Sequence, residues 1–189
     1  MAIERIVVRP GPPLEGTVAV AGAKNSALKL MAATLLAEGS YRVSNVPRIV
    51  DVDLMAELLR AVGCAVEWDP TDAATLRIHG PSEISPVPPY AIVERFRASV
   101  VVLGPMLARC GEAKVALPGG DDFGPRPVDM HVRGLVELGA QVDVVHGYIE
   151  ASATELLGGR VLLEFPSVGA TENLLMAAVA AKGTTEIDN

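Results

Sequence analysis

Three short turns combine small or basic residues in a pattern suited to binding anions. They are GAKNS (22–26), RFRAS (95–99) and PSVGA (166–170), and each precedes an apolar stretch with helical character. The first turn of a helix has unpaired amides and a partial positive charge, which attract phosphate or carboxylate. Two of the turns add a cation, Lys24 and Arg97. We therefore predict a site for phosphorylated ligands. The alternative is that Lys24 is only a solvated residue at a helix start.

A glycine-rich segment, residues 117–129, could close over a bound ligand. It contains three glycines within six positions, with Asp121 near its centre, and mobile loops of this kind often cover substrates. Asp121 could carry a proton if burial, or the neighbouring carboxylate of Asp122, keeps its carboxyl protonated near neutral pH. The alternative is a solvated turn, since Asp and Gly favour turns on local grounds alone.

Other chemistries lack their motifs in this sequence. The three histidines and two cysteines show no metal-ligand spacing. Neither glycine-rich phosphate-loop pattern, G-x-G-x-x-G or G-x-x-x-x-G-K-[ST], occurs. The triplet DFG (122–124) matches the metal-binding triplet of kinases, but the other kinase motifs are missing. We expect no metal and no cofactor.

An internal repeat would bring the three turns together. Gly39, Gly111 and Gly183 each end an apolar stretch and precede a short β-prone segment, and they stand 72 residues apart. Units related by a pseudo-rotation would point their helix starts at a common region. We predict an α/β fold of β-α-β-α-β-β units around a pseudo-threefold axis, with the third unit incomplete. The units span about residues 16–80, 90–152 and 159–189.

Local signals predict the helices and strands within each unit. Asp53 and Asp129 are predicted as helix N-caps, and Gly63 and Gly139 as the residues at which those helices stop. Alternation of apolar and polar residues predicts strands, and crossovers would place the first helix of a unit against a parallel pair. DPTD (69–72) is predicted as a hairpin turn. The predicted strands include residues 17–20, 66–68, 75–79, 142–144, 148–152 and 160–164.

Composition excludes several classes of protein. The 189 residues are 50% hydrophobic but only 4% aromatic, which is typical of sheets covered by helices. A net charge of −7 argues against a nucleic-acid partner. The longest apolar run, residues 100–108, is too short to cross a membrane. Two cysteines cannot form a disulfide framework, which favours reduced thiols and a cytoplasmic location.

Taken together, the motifs resemble those of the UDP-N-acetylglucosamine 1-carboxyvinyltransferase family. The resemblance runs from about Leu14 to Asn189, with all motifs in order. It implies the enolpyruvyl transferase fold, an inside-out α/β barrel with two domains of three units each. Residues 1–20 would pack with a missing C-terminal domain, and residues 21–189 would form most of the N-terminal catalytic domain. The motifs are GAKNSAL (22–28), FRAS (96–99), LPGG (117–120), RPVDMH (126–131) and FPSVGATEN (165–173).

The resemblance also implies an activity. The family transfers the enolpyruvyl group of phosphoenolpyruvate to the 3-hydroxyl of UDP-N-acetylglucosamine, the first committed step of peptidoglycan synthesis, without a cofactor. The shikimate-pathway relative usually has GSKS where this chain has GAKN (22–25), which disfavours that acceptor. Two alternatives stay open: a paralogue that acts on a different uridine nucleotide, and a non-catalytic fragment that binds a UDP-sugar.

Site residues follow from the resemblance by motif. Lys24 and Asn25 would hold phosphoenolpyruvate and order the sugar. Arg97 and Arg126 would contact anionic groups and stabilise charge in the tetrahedral intermediate, and Lys24, Arg126 and Asp121 would be catalytic. The residues predicted to line the uracil pocket are Pro127, Val128, Asp129 and Met130. Those predicted to meet the diphosphate are Ser167, Val168 and Gly169.

Asp121 is the main departure from the family pattern. Most members have a cysteine at this position, which donates the proton and is alkylated by fosfomycin. An aspartate keeps a transferable proton but lacks the thiol, so the resemblance predicts fosfomycin resistance. Asp122 and Phe123 also replace the small and aliphatic residues that are usual there. The general base and further arginines would come from the missing domain, so we expect no turnover by residues 1–189 alone.

Overall fold

The structure is a computed structural model that describes residues 6–119 and 128–189. In the described residues, two repeats of the order α-β-α-β-β, without the predicted opening strand, are followed by part of a third. In the first repeat, a 3-10 turn (Thr34–Leu36) extends the first helix. The elements of this repeat are α1 (Lys24–Ala33), β1 (Gly39–Val43), α2 (Val50–Ala61), β2 (Ala65–Asp69) and β3 (Asp72–Gly80).

The second repeat uses the same order of elements, whereas the third has a strand before its first helix. A short helix α3 (Tyr90–Val93) precedes the second repeat, whose first helix is a 3-10 helix (Arg97–Val102) that continues as α4 (Leu103–Cys110). The remaining elements of the second repeat are β4 (Glu112–Ala116), α5 (Asp129–Glu137), β5 (Gln141–Val145) and β6 (Tyr148–Ser152). Those of the third are β7 (Arg160–Leu162), α6 (Val168–Ala178) and β8 (Glu186–Asp188).

The sheets confirm the repeat. The first has the strand order β1-β3-β2 and the second β4-β6-β5, and every pair within these two sheets is antiparallel. In the third repeat β7 pairs with β8 in parallel across α6. Within residues 6–119 and 128–189, the predicted parallel pair of strands therefore occurs only in the third repeat. In the first two sheets the central strand comes from the closing hairpin, so both of its neighbours run antiparallel to it.

Glycines end the helices as predicted. Gly63 and Gly139 follow α2 and α5 with φ angles of +113° and +91°. Gly111 follows α4 with a φ angle of +74° and donates its N–H to the carbonyl of Leu107. Residues other than glycine rarely adopt these φ angles, so each glycine lets the chain turn from helix into strand.

Three local predictions were wrong. Asp53 is not an N-cap, because α2 already begins at Val50 after an extended Ile49. Asp129 is the first residue of α5 rather than its N-cap, which is Val128, and neither helix has a side-chain cap. Residues 17–20 form no strand: Val18 and Val20 are 85% and 90% exposed, and no strand of the described residues pairs with them.

The helices pack against one another and the sheets lie outside them. Helix α1 packs on α2, and α6 packs on both α4 and α5. Large side chains such as Met31, Leu59 and Met106 are fully buried and belong to one continuous core. This arrangement holds the N-termini of α1, the 3-10 helix and α6 in fixed relative positions. None of the helices in the described ranges is long and apolar enough to cross a membrane.

Candidate functional site

The three predicted helix starts line one pocket. It is open, has a volume of about 390 Å³, and takes residues from the N-termini of α1, the 3-10 helix and α6. The pseudo-rotation inferred from the repeat therefore brings together segments that lie far apart in sequence. Other depressions, of about 320 and 440 Å³, lie on the outer faces of the first two sheets. The pocket residues predicted from sequence are Lys24, Asn25, Arg97, Val168 and Gly169.

Lys24 is held at the first turn of α1. Its Nζ lies 2.7 Å from Oδ2 of Asp51 on α2, and about half of its side chain is exposed. The turn before it is fixed by Gly22, whose N–H donates to Oδ1 of Asn45 at 3.0 Å. A Cβ on Gly22 would overlap the carbonyl oxygen of Asn45, so this close approach requires glycine. The N-cap Ala23 supplies no side-chain acceptor, which leaves the first amides of α1 available to an anion.

Arg97 opens the 3-10 helix on the second wall of the pocket. The residue before it, Phe96, is extended and buried. The hydroxyl of Ser99, which is also fully buried, lies 2.8 Å from the carbonyl oxygen of Phe96 and 3.0 Å from that of Val93. These contacts anchor the turn, so the core fixes the backbone position of Arg97, which lines the pocket.

The start of α6 forms the third wall. Ser167 is its N-cap, and its Oγ accepts the N–H of Ala170 at 3.3 Å. The carbonyl of Ser167 also accepts from the hydroxyl of Thr171 at 2.9 Å. Val168 and Gly169 then line the pocket. The hydroxyl of Ser167 therefore holds the helix start, while the residues after it face the pocket.

The start of α5 lies beside this pocket rather than on its walls. Met130 is buried, and Asp129 is half-buried with Oδ2 3.9 Å from Arg133. The other oxygen of Asp129, Oδ1, is buried and has no hydrogen-bond partner in the part of the chain that the structure describes. A buried acceptor of this kind is costly unless a ligand or water pairs with it. Asp121, Arg126 and Pro127 lie outside the described residues.

Two further contacts at the pocket were not predicted. Lys29 on α1 lies 2.6 Å from Glu172 on α6, and both side chains are largely buried, so this pair ties two walls together. His131 on α5 is buried, and its ring lies against Gly169. Burial first, and then the charge of Arg97, lower the pKa of His131 to about 4. The available signal was its place at the end of the RPVDMH motif (126–131), although its spacing fits no metal site.

Comparison with known proteins finds a match to one family model and several curated relatives that share one name. The family model described as EPSP synthase (3-phosphoshikimate 1-carboxyvinyltransferase) matches residues 8–189. Curated proteins named UDP-N-acetylglucosamine 1-carboxyvinyltransferase are 58% identical in Mycobacterium tuberculosis, 56% in Nocardia farcinica and 50% in Gluconacetobacter diazotrophicus. The matches cover 98–99% of this chain, which spans 44% of the length of each relative.

Solved structures agree on the fold. The enolpyruvyl transferase NikO from Streptomyces tendae has a TM-score of 0.77 at 22% identity, over 94% of this chain and 41% of its own. EPSP synthase from Acinetobacter baumannii has a TM-score of 0.68 at 20% identity, over 91% of this chain and 40% of its own. The chain therefore has the enolpyruvyl transferase fold that the resemblance implied.

Proposed function

Because this chain belongs to the EPSP synthase (3-phosphoshikimate 1-carboxyvinyltransferase) family, we propose that it supplies part of the active site of an enolpyruvyl transferase. The whole protein would transfer the enolpyruvyl group of phosphoenolpyruvate to the 3-hydroxyl of UDP-N-acetylglucosamine and release phosphate. The names of the relatives at 50–58% identity support this acceptor over shikimate 3-phosphate. The reaction would serve peptidoglycan synthesis, and through it cell shape and cell division.

The convergence of three helix starts on one pocket is the observation that carries this proposal. Phosphoenolpyruvate and the diphosphate of the nucleotide are both anions. Lys24 and Arg97 line the same pocket as the starts of three helices, and helix N-termini add partial positive charge. Lys24 has a carboxylate partner in Asp51, so an anionic ligand would compete with that pair for the ammonium group.

The reaction has a defined balance of bonds and protons. A proton adds to the methylene carbon of phosphoenolpyruvate, and the sugar oxygen bonds to the adjacent carbon as its own proton passes to a base. The bond from that carbon to the phosphate oxygen then breaks, and loss of a proton from the methyl group restores the double bond. We assign the donor role to Asp121 and charge stabilisation to Lys24, Arg97 and Arg126. The base and further arginines would belong to another part of the whole protein.

The nucleotide would lie along the starts of α5 and α6. The unpartnered buried Oδ1 of Asp129 suits an N–H of the uracil ring, with Pro127, Val128 and Met130 as its apolar neighbours. The diphosphate would meet Val168 and Gly169 through their backbone N–H groups. Ser167 would act there mainly by holding the start of α6, since its Oγ already accepts from Ala170. Asn25 would order the sugar from the α1 side.

Calorimetry with UDP-N-acetylglucosamine tests the proposed site. We expect the 189-residue chain to bind the nucleotide, and Arg97→Ala to weaken binding about tenfold or more, because a charged hydrogen-bond partner is lost. Lys114→Ala is the matched control, since Lys114 is an exposed cation on the second sheet paired with Glu150. Equal weakening by both substitutions would contradict a specific site, and absence of binding by the folded chain would contradict the proposal.

The same titration separates the alternative acceptors. If another uridine nucleotide binds more tightly, the paralogue hypothesis is favoured. Release of phosphate from phosphoenolpyruvate by the whole protein, but not by residues 1–189 alone, would match the expectation that the chain holds only part of the machinery. Turnover by the chain alone would contradict it.

Resistance to fosfomycin is a second consequence of the proposal. Asp121 lacks the thiol that the epoxide alkylates, so we expect neither time-dependent inactivation of the whole protein nor a covalent adduct in mass spectrometry. Asp121→Cys is the matched variant, and it is expected to become sensitive. Inactivation of the unsubstituted protein at a rate similar to that of the cysteine variant would contradict the assignment of this position.

The remaining proposals concern surroundings and partners. We propose a cytoplasmic location, which the free thiols of Cys64 and Cys110 support. Phosphoenolpyruvate and UDP-N-acetylglucosamine would be the partners, with no role for nucleic acid or a membrane. Residues 1–20 would pack against another domain of the whole protein, and the exposed apolar side chains of Ile6, Val7 and Val8 support such a contact.

A further inference from the structure

A buried polar network joins three helices behind the pocket. Asn173 on α6 has no exposed surface. Its Oδ1 accepts the N–H of Gly104 on α4 at 2.7 Å, and its Nδ2 lies 2.9 Å from Nδ1 of His131 on α5. The helix containing Gly104 changes from 3-10 to α geometry at Val102 and Leu103. The side chain of Asn173 thus accepts a backbone N–H at a point where the helical pattern changes.

The network determines which ring nitrogen of His131 carries the proton. A backbone N–H can only donate, so the amide atom that faces Gly104 must be the oxygen of Asn173. Its NH₂ group therefore faces His131 and donates to Nδ1. A nitrogen that accepts carries no proton, so the imidazole is neutral with its single proton on Nε2.

The protonated edge of the ring faces the start of α6. A Cβ built on Gly169 would lie 3.8 Å from both Cε1 and Nε2 of His131, and Gly169 lines the pocket. The charge of Arg97 acts on the same imidazole and, with burial, lowers its pKa, whereas Asp129 opposes this. A neutral ring places a hydrogen-bond donor next to Arg97 without burying a second positive charge.

We propose that Asn173 is a positioning residue, which fixes His131 as the Nε2–H tautomer and so places a neutral donor at the start of α6 for an oxygen of the bound diphosphate. The identity of that ligand rests on the proposed function. Asn173 acts only through His131, whereas His131 contacts the ligand. The sequence predicted no role for Asn173 or His131, because neither the residue types nor their spacing shows that the two side chains are in contact.

The tautomer can be measured without any substitution. In the full chain labelled with ¹⁵N at histidine, two-dimensional NMR distinguishes the protonated from the unprotonated ring nitrogen. We expect His131 to show Nε2–H and an unprotonated Nδ1 at neutral pH. A proton on Nδ1 would overturn the proposal whether or not the chain binds a nucleotide.

Asn173→Asp tests the positioning role. The carboxylate can still accept from Gly104 but cannot donate to His131, so the neutral ring is expected to carry its proton on Nδ1 and to leave Nε2 without one. At a pH at which the ring is neutral, we therefore expect UDP-N-acetylglucosamine to bind about tenfold more weakly. Thr75→Val is the control, because it removes a buried hydroxyl that donates to Asp72 in the first sheet. The control is expected to lower stability and leave affinity unchanged. Unchanged affinity in Asn173→Asp would overturn the proposal.

Two substitutions of His131 separate ligand contact from packing. In His131→Asn the short amide can replace Nδ1 as the partner of Asn173 but cannot reach the position of Nε2. In His131→Gln the longer amide can place an N–H there. We expect the glutamine variant to keep most of the affinity and the asparagine variant to lose about tenfold. The reverse order would overturn the proposal, whereas loss of binding by the unsubstituted chain would instead overturn the proposed function and its ligand.

Discussion

Two buried polar clusters in this chain favour different charge states of their central side chains, one charged and one neutral. At the hairpin between β2 and β3, the side chain of Asp69 has no exposed surface, and its lowered pKa favours the charged form. It accepts from the backbone N–H and hydroxyl of Thr71 at 2.8 and 2.6 Å and from Arg77 at 2.9 Å, and Arg42 lies 3.1 Å away. The bonds from Thr71, followed by Arg77, lower the pKa of Asp69.

The cluster behind the pocket uses neutral groups instead. Asn173 pairs with a backbone N–H and with His131, and the lowered pKa of His131 keeps the imidazole uncharged. The same direction of shift thus stabilises a charge at the hairpin and removes one at the pocket. A neutral imidazole adds no further positive charge beside Arg97, whose charge already acts on the ring. At the hairpin, charge is compensated within the cluster, which suits a structural role.

Gly104→Ala should lower the stability more than any other substitution considered, because it would disrupt the cluster of Asn173 and His131 behind the pocket. A Cβ at Gly104 would lie 2.5 Å from Oδ1 of Asn173 and closer still to its carbonyl oxygen. The carbonyl belongs to the backbone of α6 and cannot rotate away. We expect the free energy of unfolding to fall by about 3 kcal/mol, measured by urea denaturation.

Gly159→Ala is the control for this substitution. A Cβ there would lie 3.5 Å from the carbonyl oxygen of Glu137, which is an ordinary contact. Its effect should stay within about 1 kcal/mol of zero. Similar losses in the two variants would show that the close approach of α4 and α6 has no special energetic weight.

The hairpin turn could be predicted from sequence because its contacts are local: DPTD (69–72) is a turn signal in itself, and Asp69 accepts from Thr71, two positions away. The rest of the cluster could not, because Arg42 comes from the distant strand β1. The same local logic failed at the start of α2. Asp51 and Asp53 both lie in its first turn, where either carboxylate favours the positive end of the helix. The pattern alone cannot choose which residue caps it.

The pocket could be predicted only in part, because its contacts span long separations. The repeat predicted that three helix starts meet, and Lys24, Arg97 and Gly169 do line one pocket. Asn173 lies 42 residues from His131 and 69 from Gly104, so no local pattern records their contact. The strand wrongly predicted at residues 17–20 has the same cause, since alternation is a local signal whereas strand pairing is not.

The dependence of stability on pH is a smaller effect that distinguishes the neutral His131 from the charged Asp69. The pKa of folded His131 is about 4 and its ordinary value is 6.5. Below pH 6.5 the unfolded chain therefore binds a proton that the folded chain does not. This lowers stability by up to about 1.4 kcal/mol per pH unit until the folded form also titrates near pH 4. His131→Gln should remove this slope between pH 6.5 and 4.

Asp69→Asn should act in a different window. The pKa of Asp69 lies below its ordinary value of 3.8, so its contribution is complete above pH 3.8 and is lost only as the pH falls further. The asparagine variant should be less stable than the unsubstituted chain at neutral pH. Its free energy of unfolding should depend less on pH only below about pH 4, and the slope that His131 causes between pH 6.5 and 4 should remain. Urea denaturation of both variants across the acid range measures this. If Asp69→Asn changed the slope between pH 6.5 and 4, or if His131→Gln left it unchanged, the Asp69 cluster and the His131 cluster would not affect stability independently of each other.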